Sequence, residues 1–380
     1  MADVIALGQP TVGQPELDAI AEVFGSGWLA GNGPTSRRFE TAFAELAGVS
    51  HTLAVGNCTA ALHLAFLALG LGAGDEVVVA DYTFPATGHA VMMTGATPVF
   101  ADVRPDIWTV EPAAVEAAIS PRTVGIVAVD VFGQAADYDE LRAVADRHRL
   151  WLVEDAAAAS GALYKGRPAG SLADLGCFSF HGRKGITCGE GGALTTDNAE
   201  LDAHARKLHA FGIESALSRA AAQDLPVPQF DELGYNYKLS DIAAAMMLVQ
   251  LGRLPDLIKA RQTVADGYAE RLSGTELITL PVTAPDRVHV WQSYVLTLDP
   301  SVDRGAVASS LRAAGVQCTF GTYASHVQPL YGPSPECPVS AGLFSRHLAI
   351  PMHANLTGDQ VDRVADAVLA AVRDHAGSAH

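Results

Sequence analysis

Short apolar runs recur along the first two hundred residues, and segments with helical periodicity separate them. HTLAVGN, from His51, reads as a buried strand, and CTAALHLAFLALGLG, directly after it, reads as a helix. The same alternation continues through EVVVAD (76–81), TPVFADV (97–103), VGIVAVDVFG (124–133) and LWLVEDAA (150–157). Strands that are apolar throughout, each followed by a helix, belong in a mostly parallel sheet covered on both faces. The pattern therefore predicts an α/β fold.

Outside this core the pattern changes. SGWLAGNGP (Ser26 to Pro34) is a glycine-rich loop, and SRRFETAFAELAG reads as a helix with Ser36 as its N-cap. SALSRAAAQDLPVPQFDELGYNYKLSD is polar and irregular, the kind of long loop kept for a function or an interface. A long helical stretch then starts near Ser240, with a kink or break expected at Pro255. We place a boundary there: a large domain over 1–255, N-terminal arm included, and a small α+β domain over 256–380. The latter holds the strand VWQSYVLTL, a helix from Arg304 to Ala314, a loop rich in Pro, Tyr and His, and an amphipathic helix starting at Thr357.

Candidate chemistry concentrates between Leu150 and Thr196. An apolar strand ends on Asp155, a second apolar strand follows, and Lys184 sits in a Gly-rich turn before the short strand GGALTT. An acid and a lysine just past neighbouring strand ends converge at the carboxyl edge of a sheet, where open α/β folds keep their ligands. Lysine holds pyridoxal phosphate as a Schiff base, and an acid beneath the pyridine nitrogen is its usual companion. The turn between HTLAVGN and the next helix can cradle a phosphate with the Thr59 hydroxyl and the Ala60 amide, or Asn57 and Thr59 simply cap that helix. Phe84, beyond another strand end, either stacks on a planar ring or belongs to the core. Trp28 either docks the arm on a partner or reaches a substrate pocket across a dimer interface. His181 tunes protonation, touches substrate or makes a structural bond. Tyr323 and His326 either face the pocket or point to solvent.

Charge narrows the partners. The 380 residues carry 25 Lys and Arg against 42 Asp and Glu, a formal net charge of -17. That balance argues against nucleic acid or an anionic membrane surface as partner. Five scattered cysteines without metal-like spacing imply no metal site and a reducing, cytoplasmic setting. No run approaches the length of a membrane span, and the N-terminus lacks a signal-peptide pattern.

VEDAAAASGALYKGRPAGSLADLGCFSFHGRKGITCGEGGALTT resembles the signature of the DegT/StrS-type, pyridoxal-phosphate-dependent sugar aminotransferases. The likeness extends through SGWLAGNGP, the segment from Asn57 to Val103, LGYNYKLSDIAAAMMLVQLGRL and LAIPMHANLTGDQV. It implies a fold-type-I transferase, with a large domain built on a mostly parallel, mixed seven-stranded sheet, working as a homodimer with active sites at the interface. By that resemblance Lys184 is the Schiff-base lysine and Asp155 the partner of the pyridine nitrogen. Phe84 is the stacking aromatic, and Thr59, Ala60 and Ser179 contact the phosphate, joined by Asn236 of the other subunit. Pyridoxal phosphate would alternate with pyridoxamine phosphate. The donor would be glutamate or glutamine and the acceptor a keto-sugar nucleotide.

A dehydratase branch of the family has histidine at the lysine position, and Lys184 argues against it. GRKGITCGEGG is similar to the perosamine-synthase-like group, which implies amination at C4 of a 4-keto-6-deoxyhexose nucleotide. Amination at C3, a keto-cyclitol acceptor, or a catalytically silent regulatory relative are the alternatives. The chain departs from the family pattern at Cys58, Asp130, Ala158 and Ser160.

Overall fold

The computed structural model describes residues 4–213, 230 and 232–377. Seven strands form the central sheet: β1 (His51–Val55), β2 (Glu76–Ala80), β3 (Thr97–Ala101), β4 (Thr123–Val129), β5 (Trp151–Asp155), β6 (Leu175–Ser179) and β7 (Gly192–Thr196). Their order is β1-β7-β6-β5-β4-β2-β3. β7 pairs antiparallel with both neighbours, and the pairs from β6 to β3 are parallel. β2, β6 and β7 are buried along their whole length, as strands covered on both faces must be. The α/β fold and the seven-stranded, mostly parallel sheet are as the sequence predicts.

Two sequence expectations are corrected. The second helix spans Pro34–Ala47, so its N-cap is Gly33 and Ser36 lies inside it. Ser36 is buried because its amide and hydroxyl both donate to Asp241 Oδ1, at 3.1 and 2.5 Å. Gly33 must be glycine there, since an added Cβ would fall 2.3 Å from both Asp241 Oδ2 and the Trp28 ring. Secondly, one helix runs unbroken over Asp241–Leu272 with Pro255 inside it. Pro255 itself is exposed, while buried Leu254 and Leu257 on either side keep the helix packed.

That long helix joins two cores. Ala244, Met247, Leu254 and Leu257 pack with Phe39, Phe43, Phe178 and Phe180 against the large sheet. Val264, Ala265, Tyr268 and Leu272 pack instead with the C-terminal elements. These comprise an antiparallel sheet of β8 (Ile278–Thr279), β9 (Tyr294–Leu298) and β10 (His347–Ile350), flanked by the Arg304–Ala313 and Gly358–Asp374 helices. Thr357 caps the last helix in a reciprocal capping box with Gln360. Ile5, from the other end of the chain, belongs to this second core, bridging to Gly315 and Gln317 through its backbone.

Candidate active site

Asp155 is the last residue of β5 and only 4% exposed. Its Oδ2 accepts a hydrogen bond from the Thr87 hydroxyl at 2.7 Å, and its Oδ1 accepts the Ala157 amide at 3.2 Å. The Thr83 and Thr87 hydroxyls lie 3.0 Å apart, so Thr83 extends the chain of donors. Burial pushes the Asp155 carboxyl upward, and Thr87, the Ala157 amide and the charge of Lys184 oppose that push. The Cys58 thiol lies 4.0 Å from Oδ1, and burial raises it well above the usual thiol range.

Lys184 occupies the turn after β6, half-buried, its amide donating to the His181 carbonyl at 2.8 Å. Burial lowers its ammonium, while Cys58 and Asp155 pull the other way. A lysine amine lowered in this manner is a better nucleophile at neutral pH, which suits it to hold a carbonyl compound covalently.

The turn after β1 carries a side-chain cap. The helix spans Cys58–Ala68, and the Asn57 side chain caps it by accepting the Ala60 amide at 2.9 Å. The Ala60 amide is thus engaged by the cap, and the N–H groups of Cys58 and Thr59 start the helix beside Asp155. Gly192 of β7 passes so close that an added Cβ would lie 2.6 Å from the Asn57 carbonyl carbon. Ser179 ends β6 next to this turn, its hydroxyl accepting from the His181 amide at 3.4 Å.

Phe84 is not core: it is 65% exposed, just before the Ala86–Met93 helix. Its ring meets Tyr323 edge-on at 6.1 Å, because Tyr323 and Ala324 pair with Tyr82 and Thr83. His326 does not point to solvent. Its Nδ1 lies 2.7 Å from Asp81 Oδ2, and its amide donates to Asp81 Oδ1 at 2.6 Å. Cys337 joins that pair, with the three potential ligand atoms within 4.8 Å of one another.

Trp28 folds back on its own loop, its Nε1 donating to the Ala30 carbonyl at 3.0 Å, and remains 48% exposed. His181 is exposed, with Nδ1 accepting from the Arg183 amide at 3.2 Å and Nε2 lying 3.8 Å from Glu190. Asn236 is exposed and accepts from the Lys238 ammonium; the loop containing it is otherwise largely outside the described residues, at 214–229 and 231. Asp130 lies behind Asp155, its amide donating to the Asp155 carbonyl at 3.0 Å. Burial pushes the Asp130 carboxyl well above the usual carboxylate range, while hydrogen bonds with Glu154, the Ala136 amide and Tyr138 oppose that push. Sequence reasoning missed Thr87 and Asp81. Thr87 was findable, since it lies three residues after Phe84, on the same side of a helix start.

The chain matches the DegT/DnrJ/EryC1/StrS aminotransferase family over residues 10–369. The chain belongs to this family. It is 36% identical to the spore coat polysaccharide biosynthesis protein SpsC of Bacillus subtilis (strain 168), over 94% of this chain and 95% of that protein. The structure of DesI in the presence of its TDP-sugar product is 36% identical, with a TM-score of 0.89 over 98% of this chain and 94% of DesI. The putative sugar aminotransferase Spr1654 of Streptococcus pneumoniae, solved in its PMP form, gives a TM-score of 0.93 at 25% identity over 97% of this chain and 99% of Spr1654.

The protein is therefore a pyridoxal-phosphate-dependent aminotransferase of the sugar aminotransferase family. The residues present fit that cofactor. A buried carboxylate, an amine made more nucleophilic by burial, an uncovered aromatic face and a helix start converge on one edge of the sheet. No helix of the described residues is long and apolar enough to cross a membrane.

Proposed function

We propose that the enzyme moves an amino group from glutamate or glutamine to a keto-sugar nucleotide, at C4 of an NDP-4-keto-6-deoxyhexose, for deoxyaminosugar biosynthesis. The observation that carries the reading is the convergence of Lys184, Asp155 and the Cys58–Ala68 helix start on one sheet edge, next to the exposed ring of Phe84. DesI, a relative of equal identity to SpsC, was solved with a TDP-sugar product, which favours a nucleotide sugar as acceptor. Bound in the site, the cofactor supplies an electron sink for the carbon that exchanges its amine.

Each residue then has a defined task. Lys184 would hold the cofactor through its amine and would serve, when free, as the acid–base group for the proton that moves during amine transfer. Asp155, whose oxygens accept from Thr87 and the Ala157 amide, would hold a proton on the pyridine nitrogen. Phe84 covers one ring face, and the Cys58–Thr59 amides with the Thr59 and Ser179 hydroxyls receive the phosphate. Asn236 reaches the phosphate of the other subunit in a homodimer. In this reading Tyr323, Trp28 and His181 contact the sugar substrate. His326 acts by fixing the loop that carries Tyr323. We take residues 1–255 as the cofactor domain and 256–380 as the small domain, in a cytoplasmic protein.

The test is one absorbance record of the protein with pyridoxal phosphate, adding glutamate and then a 4-keto-6-deoxyhexose nucleotide. The visible band of the lysine-bound cofactor should disappear with the donor and return with the sugar. Disappearance without return moves the acceptor to a C3 ketone or a keto-cyclitol. A band that no amino acid alters would refute the catalytic reading.

A further inference from the structure

One buried cation lies against the turn that carries Lys184, and the chemistry above does not use it. Arg261, on the long helix, is 6% exposed, and its Nη2 donates to the Gly185 carbonyl at 2.9 Å and reaches the Lys184 carbonyl at 3.5 Å. Its Nε, also buried, has no hydrogen-bond partner among the described residues, and none of their carboxylates is ion-paired with it. Burial lowers its guanidinium to about 10. An apolar side chain would fill this volume without stranding a charge. The fork's two carbonyl contacts are what such a side chain would not supply.

Gln250 approaches the same turn from three helical turns away. Eleven residues span about three turns, so Gln250 and Arg261 share one helix face. The Gln250 Oε1 accepts the Thr187 amide at 3.2 Å, and its Nε2 donates to Glu16 Oε1 and the Thr11 carbonyl. The Thr187 hydroxyl in turn donates to the Phe180 carbonyl at 2.7 Å. The turn from Phe180 to Cys188 is thus gripped by two side chains of one rigid element.

We propose that Arg261 is a positioning residue for Lys184, and that with Gln250 it fixes the direction in which the lysine leaves its turn. The proposal rests on the role assigned to Lys184. Arg261 holds the peptide plane that follows the Lys184 Cα, and the next one, while the Lys184 amide bonded to the His181 carbonyl holds the plane before it; the two planes flanking that Cα aim the side chain. A misplacement of about 1 Å costs on the order of a hundredfold in rate.

The experiment compares Arg261→Met, Arg261→Lys and Gln250→Leu with the wild type. Hydrogen exchange of the 180–188 segment is read by mass spectrometry in the apoprotein, and visible circular dichroism and steady-state kinetics are read with pyridoxal phosphate. For Arg261→Met we expect faster exchange confined to that segment, a weaker dichroic band, and kcat lower by about tenfold to a hundredfold with the donor KM little changed. Arg261→Lys should recover part of each signal, and Gln250→Leu should quicken exchange at its own end of the turn. Unchanged exchange and kcat in Arg261→Met would overturn the proposal. So would losses that merely track the folded fraction in all three variants; if Arg261→Met does not fold, the other two decide. A wild type without a lysine-bound cofactor band would instead overturn the role of Lys184, while the exchange data would still report on the clamp.

Discussion

Burial raises the Asp155 carboxyl and the Thr87 hydroxyl opposes that push, so Thr87 matters chemically as well as structurally. In the proposed function Asp155 works as the carboxylate, so activity that needs it should be lost as pH falls through its pKa. Thr87→Val removes a donor to that carboxylate, so its pKa rises and the acid limb of the kcat/KM profile should move to higher pH; an unmoved limb would exclude Thr87 from this role. Asp155→Asn should cost about 3 kcal/mol of transition-state stabilisation, roughly a hundredfold in kcat. Lys184→Ala should lower turnover by at least about a thousandfold while the protein keeps its fold, which far-ultraviolet circular dichroism checks. Asp155 and Lys184 were legible because strand ends are legible: an apolar run that stops on an acid declares its own edge. Asp81 and His326 were not, because they are far apart in sequence and only the pairing of Tyr323–Ala324 with Tyr82–Thr83 brings them together.

Elements were read from the chain more reliably than their ends. Six apolar runs and GGALTT all became strands, since burial on both faces leaves an unmistakable composition. Ser36 misled because serine is a good cap in isolation, whereas here its hydroxyl serves a carboxylate at the start of another helix. Pro255 misled because a proline on the wet face of a long, well-packed helix need not end it. The junction made by Asp241 invites a test. Its two oxygens accept from the Thr35 amide, the Ser36 amide and the Ser36 hydroxyl, tying two helix starts together while buried. Asp241→Ala leaves those donors unsatisfied and should cost about 1–3 kcal/mol, seen as a lower urea midpoint with an unchanged slope.

At the scale of the whole molecule, neither the strand order nor the reversed direction of β7 could be read from patterning, since both depend on pairings remote in sequence. The same holds for Ile5, which crosses to the C-terminal core. Exposed Asn236 bears on assembly. If it completes the site of a second copy, mixing Lys184→Ala with Asn236→Ala protomers should regenerate activity, up to about a quarter of wild type by random pairing. Activity no greater than the sum of the two variants alone would argue for self-contained sites.

His51 lies opposite Thr196, and within the large sheet β1 pairs with β7 alone. The strand leading into the Cys58–Ala68 helix therefore waits, during synthesis, for a partner that emerges far later. Such distant pairings form slowly. A nascent chain would carry β2 to β5 as a self-consistent parallel block long before the cofactor pocket closed. Refolding should show the same lag: helical dichroism should return first, and capture of the cofactor only once β7 has slotted between β1 and β6.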